Sequence, residues 1–284
     1  MKKIIINLDW DETITSKDTT SLISISLNPK NQERFHQYTN EYLRLLKDYE
    51  ERYKDERNDL NEEKKFLEGF KVIEEQIMRS IEKDEYFKNN CLDLVKSYEQ
   101  VEFNKGWDEF FLWFVDQTTH PKNQIELEIN IISCSWSSNF IKHSLNYHDY
   151  DPLKFKSIRS NEINRKDGKF EVSEDCKVSN SGIKTSLDKL NELKNIISFE
   201  DLNRTKTVYV GDSLNDLMCL LESDLGIIIG NNSKLKSTCD KLKINVMGFD
   251  CFCNSLDQIR NQKLMVRVDD WFEVLKVLNK FLGN

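Results

Sequence analysis

LDWDETIT, residues 8–15, carries two aspartates, Asp9 and Asp11, one residue apart and directly behind the apolar run Ile4-Ile5-Ile6, with Thr13 and Thr15 close after. An isoleucine-rich run of this length reads as a buried strand from Lys3 to Asp9, and acids at its carboxyl end need a reason to be there. Similar runs recur at Ile125–Ser133, Thr207–Val210, Leu225–Ile229 and Leu264–Val268, separated by helical stretches. Short apolar strands alternating with helices predict an α/β fold: a Rossmann-like, three-layer core whose mainly parallel sheet is covered on both faces. The last segment, with Trp271, Val274, Leu275, Leu278 and Phe281 at helical spacing, is expected to pack on that sheet.

Between residues 18 and 117 the sequence becomes long, charged and helical. Phe35, Tyr38, Tyr42, Leu45, Tyr49 and Tyr53 recur every three or four positions, as do Phe66, Phe70, Ile73, Ile77 and Ile81. This predicts a helical insert with solvated charged faces, its tyrosine stripe serving as core rather than as a ligand box. Pro29, closing SISLNP, is expected to mark a turn before the first long helix. The chain thus divides into residues 1–17 and 118–284 as a core and 18–117 as the insert.

A chain of 284 residues can bury a core without staples. Its formal net charge of -8 argues against a nucleic-acid partner, which needs a basic face. A negatively charged small substrate would instead need a local cation, most economically a divalent metal. Seven cysteines without paired spacing fit a reducing cytosol better than a disulfide framework. Cys251 and Cys253 form a lone C-x-C, lack the second pair that zinc requires, and read as packed thiols. No stretch approaches a signal-peptide core or a membrane span, so the expectation is a soluble cytoplasmic protein with no membrane partner.

In open parallel sheets, ligands collect at the carboxyl ends of strands. Each unusual polar cluster falls at such an end: Asp9 and Asp11 after the first strand, Ser133 after the second, and Asp212 and Asp216 in VYVGDSLND (208–216) after the third. The last two start on one face if a helix begins near Ser213. Four carboxylates in one crevice raise one another's pKa and destabilise the fold unless a cation is present. A hard ion such as Mg²⁺, completed by waters and a substrate phosphate, removes that penalty. A carboxylate not needed for shielding could then attack phosphorus and split hydrolysis into two steps.

These residues resemble a family. Asp9-Trp10-Asp11-Glu12-Thr13 resembles the D-x-D-x-T signature of the haloacid dehalogenase (HAD) superfamily, and Gly211-Asp212-Ser213-Leu214-Asn215-Asp216 resembles its G-D-x-x-N-D motif. The insert just after the first motif is most similar to the helical cap of the phosphoserine-phosphatase-like branch. The resemblance implies that Asp9 is the nucleophile and a Mg²⁺ ligand. It makes Asp11 the general acid and base, with its backbone carbonyl on the metal. It gives Asp212 as a further ligand, Asp216 as support for the metal site, and Ser133 as a hydrogen-bond donor to a phosphoryl oxygen. A lysine ahead of the last motif would balance the charge of nucleophile and phosphate. GIKTSLDKLNEL (182–193) offers Lys184 and Lys189, of which Lys189 stands at the usual distance from Asp212 and is preferred. Gly106 and Trp107 in NKGWDEF resemble the turn by which such chains re-enter the core. One departure stands out: Ser133-Cys134-Ser135-Trp136 lacks the glycines that commonly follow the serine in phosphoserine phosphatases, which weakens phosphoserine as substrate. Trp136 is read as packing, with a role as pocket wall left open. His143 and His148, five apart, have the wrong spacing for a metal pair on one helical face.

The function expected is a Mg²⁺-dependent phosphatase acting on a small phosphorylated metabolite through an aspartyl-phosphate. Asp11 sets it apart from dehalogenases, which lack this acid, and from transport ATPases, which place threonine there. A non-catalytic binding or regulatory protein on the same fold, and a phosphotransferase to an acceptor other than water, are the alternatives.

Overall fold

The opening apolar run forms the first strand, Lys2–Leu8, and its side chains alternate between two layers: Ile4, Ile6 and Leu8 enter one core and Ile5 the other. In this computed structural model the described residues are 2–25, 32–88, 95–119, 125–164, 166–178, 182–201, 203–255 and 263–283. Pro29 lies outside them. In chain order the strands are β1 (Lys2–Leu8), β2 (Ile125–Ile132), β3 (Ser157–Arg159), β4 (Asn161–Ile163), β5 (Phe170–Val172), β6 (Thr205–Gly211), β7 (Leu225–Ile229), β8 (Met247–Gly248) and β9 (Leu264–Val268). Seven of them build one sheet in the order β3-β2-β1-β6-β7-β9-β8, parallel at every pairing. β4 and β5 form a separate antiparallel hairpin.

The helices are α1 (Thr20–Ile25), α2 (Gln32–Tyr53), α3 (Leu60–Lys83), α4 (Val95–Tyr98), α5 (Trp107–Thr119), α6 (Ser138–Tyr147), α7 (Ser186–Ile197), α8 (Leu217–Glu222), α9 (Ser233–Lys241), α10 (Phe249–Ser255) and α11 (Trp271–Leu282). One sheet face is covered by α5, α6, α10 and α11 through residues such as Phe110, Phe140, Phe252 and Trp271. The other is covered by α7, α8 and α9 through Leu193, Leu220 and Leu235. This is the three-layer α/β arrangement that alternating strands and helices predict. Within the described residues no helix is long and apolar enough to cross a membrane.

Strand order reverses between β1 and β6. From β1 the chain goes to β2 on one side and later returns to β6 on the other, so the loops leaving β1 and β6 diverge and leave a crevice at their carboxyl ends. Register fixes their neighbourhood: Leu8 pairs with Val210, and the Asp9 amide donates to the Val210 carbonyl at 3.0 Å. The aspartate of LDWDETIT and that of VGDSLND are thereby brought side by side.

The insert is a helical hairpin of α2 and α3 flanked by α1 and α4. Asp59 caps α3, accepting from the amides of Asn61 and Glu62. Tyr49, stacked on Phe66, donates its hydroxyl to the Phe66 carbonyl, so this part of the tyrosine stripe is packing. The tip of the hairpin rests on the core. Arg57 grips the buried Glu63 through two hydrogen bonds of 2.7 and 2.6 Å, covers the Phe66 ring, and reaches Thr238 of α9 at 3.3 Å. Stripping one partner from a buried pair of this kind costs ~3–5 kcal/mol, because the other charge is left uncompensated.

Helix α5 falls within the segment expected as insert, but it packs on the sheet. Trp107 and Phe110 are fully buried against Trp271 of α11, with ring centroids 4.9 and 4.5 Å away. The chain returns to the core at Gly106, whose φ of +83° suits glycine and where a Cβ would come within 2.8 Å of the Phe272 nitrogen.

Candidate active site

Asp9 leaves β1 with its carboxylate 5% exposed. Its Oδ1 accepts from the Trp10 amide at 2.8 Å and from the Lys189 ammonium at 2.8 Å. Oδ2 accepts no hydrogen bond among the described residues. Thr185 caps α7, and Lys189 stands one turn beyond it, buried, with its ammonium also 2.8 Å from Asp216 Oδ1. Burial works against that charge, but Asp216 and Asp9 overcome it and hold Lys189 protonated well above the usual lysine range. Lys184, the other candidate, turns instead to Glu75 of α3 at 3.6 Å.

Asp216 is saturated. Its Oδ1 takes Lys189 and the Tyr209 hydroxyl (2.9 Å), and its Oδ2 takes the amide (3.1 Å) and hydroxyl (3.0 Å) of Ser213. The segment after β6 is a short 3-10 turn, Leu214–Asp216, closed by this Ser213–Asp216 capping box before α8 begins. Gly211 is required beside it, since a Cβ there would lie 2.4 Å from the Asp216 Cγ. Asp212, 7% exposed, accepts from the Thr13 hydroxyl at 3.3 Å.

One oxygen from each of Asp9, Asp212 and Asp216 lies within 4.8 Å of the others. With all three carboxylates ionised, only one ammonium stands against them, leaving two negative charges. Burial, reinforced by Asp216, pushes the Asp9 carboxyl up to about 7 despite Lys189, and burial with the charges of Asp216 and Asp9 pushes Asp212 up to about 9. An all-oxygen donor set with this residual charge fits a hard divalent cation. The four donors on Asp216 make it a brace for Lys189, while Asp9 and Asp212 keep lone pairs to spare.

Asp11 stands apart from this group but lines a cavity together with Asp9 and Asp212. Its Oδ1 accepts from the backbone amide and the hydroxyl of Thr19, both at 2.7 Å, and its carboxylate is not part of the three-acid group. Burial and then the Asp18 charge push it up to about 8, opposed by the Thr19 bonds. Ser133, at the end of β2, is buried and lines the same cavity, its hydroxyl accepting from the Ser135 amide at 3.0 Å.

The loop 9–15 is held by residues whose part was not legible beforehand. Glu12 sits at φ +57°, a left-handed conformation costing on the order of 1–2 kcal/mol for a residue with a Cβ. The Asn104 amide offsets this by donating to the carbonyls of Glu12, Thr13 and Thr15 at 3.1, 2.9 and 3.1 Å. Trp271 donates its indole N–H to the Thr13 carbonyl at 2.9 Å, and Trp10 donates to the Thr19 hydroxyl at 3.1 Å. Thr15 bridges Phe103, so the strands entering and leaving the insert touch.

A cavity of about 690 Å³ opens above Asp9, between the strand ends and the inner faces of α2 and α3. Trp136 is half-buried and does two things: it lines this cavity and makes edge contacts with Phe35, Phe87 and Phe170. His143 and His148 lie elsewhere: His143 stacks on Tyr98, and His148 bonds the Tyr98 carbonyl at 2.8 Å. Cys251 and Cys253 lie on α10.

Residues 114–244 match the family model of haloacid dehalogenase-like hydrolases. This segment is similar to that family. The matched segment holds Ser133, Lys189, Asp212 and Asp216 and begins after Asp9 and Asp11. Among solved structures, a substrate-bound phosphoserine phosphatase complex aligns with TM-score 0.55 at 18% identity, covering 97% of this chain and 98% of that one. A phospho-aspartyl intermediate analogue of phosphoserine phosphatase gives 0.54, also at 18% identity, over 97% and 99%. The HAD-like fold is thus shared across the insert as well as the core. Among curated proteins, the mitochondrial bifunctional TH2 protein of Arabidopsis thaliana is 23% identical over 262 residues, 82% of this chain. The chain spans only 40% of that protein's length. A CTO1 family protein of Schizosaccharomyces pombe is 24% identical over 238 residues, 80% of this chain and 82% of its own.

Proposed function

We propose that the protein is a Mg²⁺-dependent phosphatase for a small phosphorylated metabolite, working through an aspartyl-phosphate on Asp9. The observation that carries this reading is the Lys189 ammonium, 2.8 Å from both Asp9 and Asp216 at the floor of a cavity that Ser133 and Asp212 also line. The cation would be held by Asp9, Asp212 and the Asp11 backbone carbonyl, with Asp216 as support, and when bound supplies charge neutralisation to the phosphoryl oxygens.

The protein's own groups account for the rest. An Asp9 carboxylate oxygen attacks phosphorus, the bond from phosphorus to the ester oxygen breaks, and its electron pair leaves with that oxygen. Protonated Asp11 supplies the proton that makes the leaving group an alcohol; its raised pKa of about 8 suits an acid that still carries its proton near neutrality. Asp11, now ionised, takes a proton from water as the water oxygen attacks the same phosphorus. The bond to Asp9 breaks, and free phosphate and the original carboxylate result. Lys189 and the Ser133 hydroxyl stabilise the transferring oxygens throughout.

The test is hydrolysis of p-nitrophenyl phosphate with added Mg²⁺. Wild-type protein turns the ester over and stops on chelation, and Asp9→Asn reduces kcat by at least about 10³-fold with an unchanged circular dichroism spectrum. Turnover by Asp9→Asn at the wild-type rate would refute the reading.

A further inference from the structure

The end of the cavity away from the phosphate floor has its own chemistry. Phe70, Glu74 and Ile77 lie on one face of α3, and Phe35, Tyr38 and Tyr42 on one face of α2; all of them line the cavity, with Trp136 opposite. Phe35, Tyr42, Phe70 and Trp136 are each half-buried. Into this largely aromatic wall the Glu74 carboxylate is set, with Asp18 and Glu50 also on the cavity lining. The Tyr42 hydroxyl is close enough to Glu74 to favour its ionised form. Burial pushes the Glu74 carboxyl up to about 7, eased by Tyr42 and Lys184 and reinforced by the charge of Asp18. Lys184 is itself engaged with Glu75, and no ion pair to Glu74 forms among the described residues.

An acid brought into an apolar wall with one phenol beside it keeps lone pairs for a ligand. An anionic group would be repelled there once the carboxyl is ionised. A polyol would bury several hydroxyls against ring carbon without partners, at a cost for each. A flat apolar body carrying one N–H donor meets both demands, since its faces lie on the rings and its donor reaches the carboxylate.

We propose that Glu74, beside Tyr42, is the specificity-determining residue of this site and selects phosphate esters whose alcohol part is a flat, apolar group bearing a protonated amine or other nitrogen donor. This deepens the phosphatase reading and rests on it for the place of the phosphate.

The experiment compares benzyl phosphate with 4-(aminomethyl)benzyl phosphate, identical but for the amine. Affinities are measured by calorimetry with Mg²⁺ on the Asp9→Asn background, so that neither ester is consumed, and each variant is judged by its own ratio of the two dissociation constants. With Glu74 intact the amine is bound at least about tenfold more tightly, the worth of a charge-assisted hydrogen bond. Glu74→Gln brings the ratio to within about threefold of unity, and Tyr42→Phe, which removes only the neighbouring phenol, gives an intermediate ratio. Equal affinities with Glu74 intact, or an undiminished preference in Glu74→Gln, overturn the proposal. If wild-type protein hydrolyses neither ester while the preference and its loss in Glu74→Gln hold, the phosphatase reading fails and the assignment of Glu74 stands.

Discussion

Removing divalent cations is expected to make the folded state progressively less stable as pH rises, and the size of the effect follows from the three-acid cluster. Asp9 is displaced from 3.8 to about 7 and Asp212 from 3.8 to about 9. A carboxyl whose folded pKa lies above its unfolded value binds more protons when folded, so stability falls as pH rises between the two values. The window therefore runs from about 4 to about 7 for Asp9 and on to about 9 for Asp212. For Asp9 alone, at about 1.4 kcal/mol per pH unit, ionising the buried group costs on the order of 4 kcal/mol. A cation bound only by the folded protein opposes that cost, and at a hundredfold excess over its Kd it contributes about 2.7 kcal/mol. For a chain of this size that corresponds to a rise in Tm of roughly 4–5 °C. Scanning calorimetry with chelator and with saturating MgCl₂, near pH 6 and near pH 9, reads it directly. Mg²⁺ should raise Tm at both values and more at the higher, and Asp212→Asn should raise the metal-free Tm while removing the Mg²⁺ increment. Equal melting temperatures with chelator and with Mg²⁺ at both pH values would refute the argument, as would a metal-free Tm that climbs with pH.

Two further outcomes are expected. Lys189→Met leaves Asp9 and Asp216 facing one another in a buried site and should cost ~3–5 kcal/mol in urea denaturation; adding Asp216→Asn should restore part of that loss, because the two sites share one interaction. Gly211→Ala must displace the Asp216 carboxylate, 2.4 Å from where the new methyl would stand, and with it Lys189; kcat on p-nitrophenyl phosphate should fall about 100-fold, the cost of misplacing a positioned group by about 1 Å.

Much of the core is written in local pattern. Leu225–Ile229 and Leu264–Val268 are strands with the bounds their apolar runs predict, since each is a short β-branched stretch closed by polar residues. β3, the β4–β5 hairpin and β8 escape such a reading because at two or three residues they are shorter than any periodicity. Trp107–Thr119 shares the helical spacing of the insert, and only its partners, Trp271 and the sheet, assign it to the core. In the site, the spacing of acids behind β1 and β6 was visible, as was the pair of candidate lysines. The braces were not. Trp271 meets the Thr13 carbonyl across 258 positions and Asn104 reaches Thr13 across 91, and no local pattern carries such distances. Glu74 was one acid among many on a charged helix until the hairpin turned it toward the cavity.

The bond between Asp11 and Thr19 ties chemistry to shape. Thr19 directly precedes α1, the first turn of the helical cover, and holds the Asp11 carboxylate by both its amide and its hydroxyl. Lifting the cover at this corner would swing the proton-carrying group with it or forfeit two short hydrogen bonds. On the proposed phosphatase reading, the proton donor and the roof would act as parts of one latch, aligned for transfer only while the chamber is shut, when bulk water has least access to a freshly phosphorylated side chain.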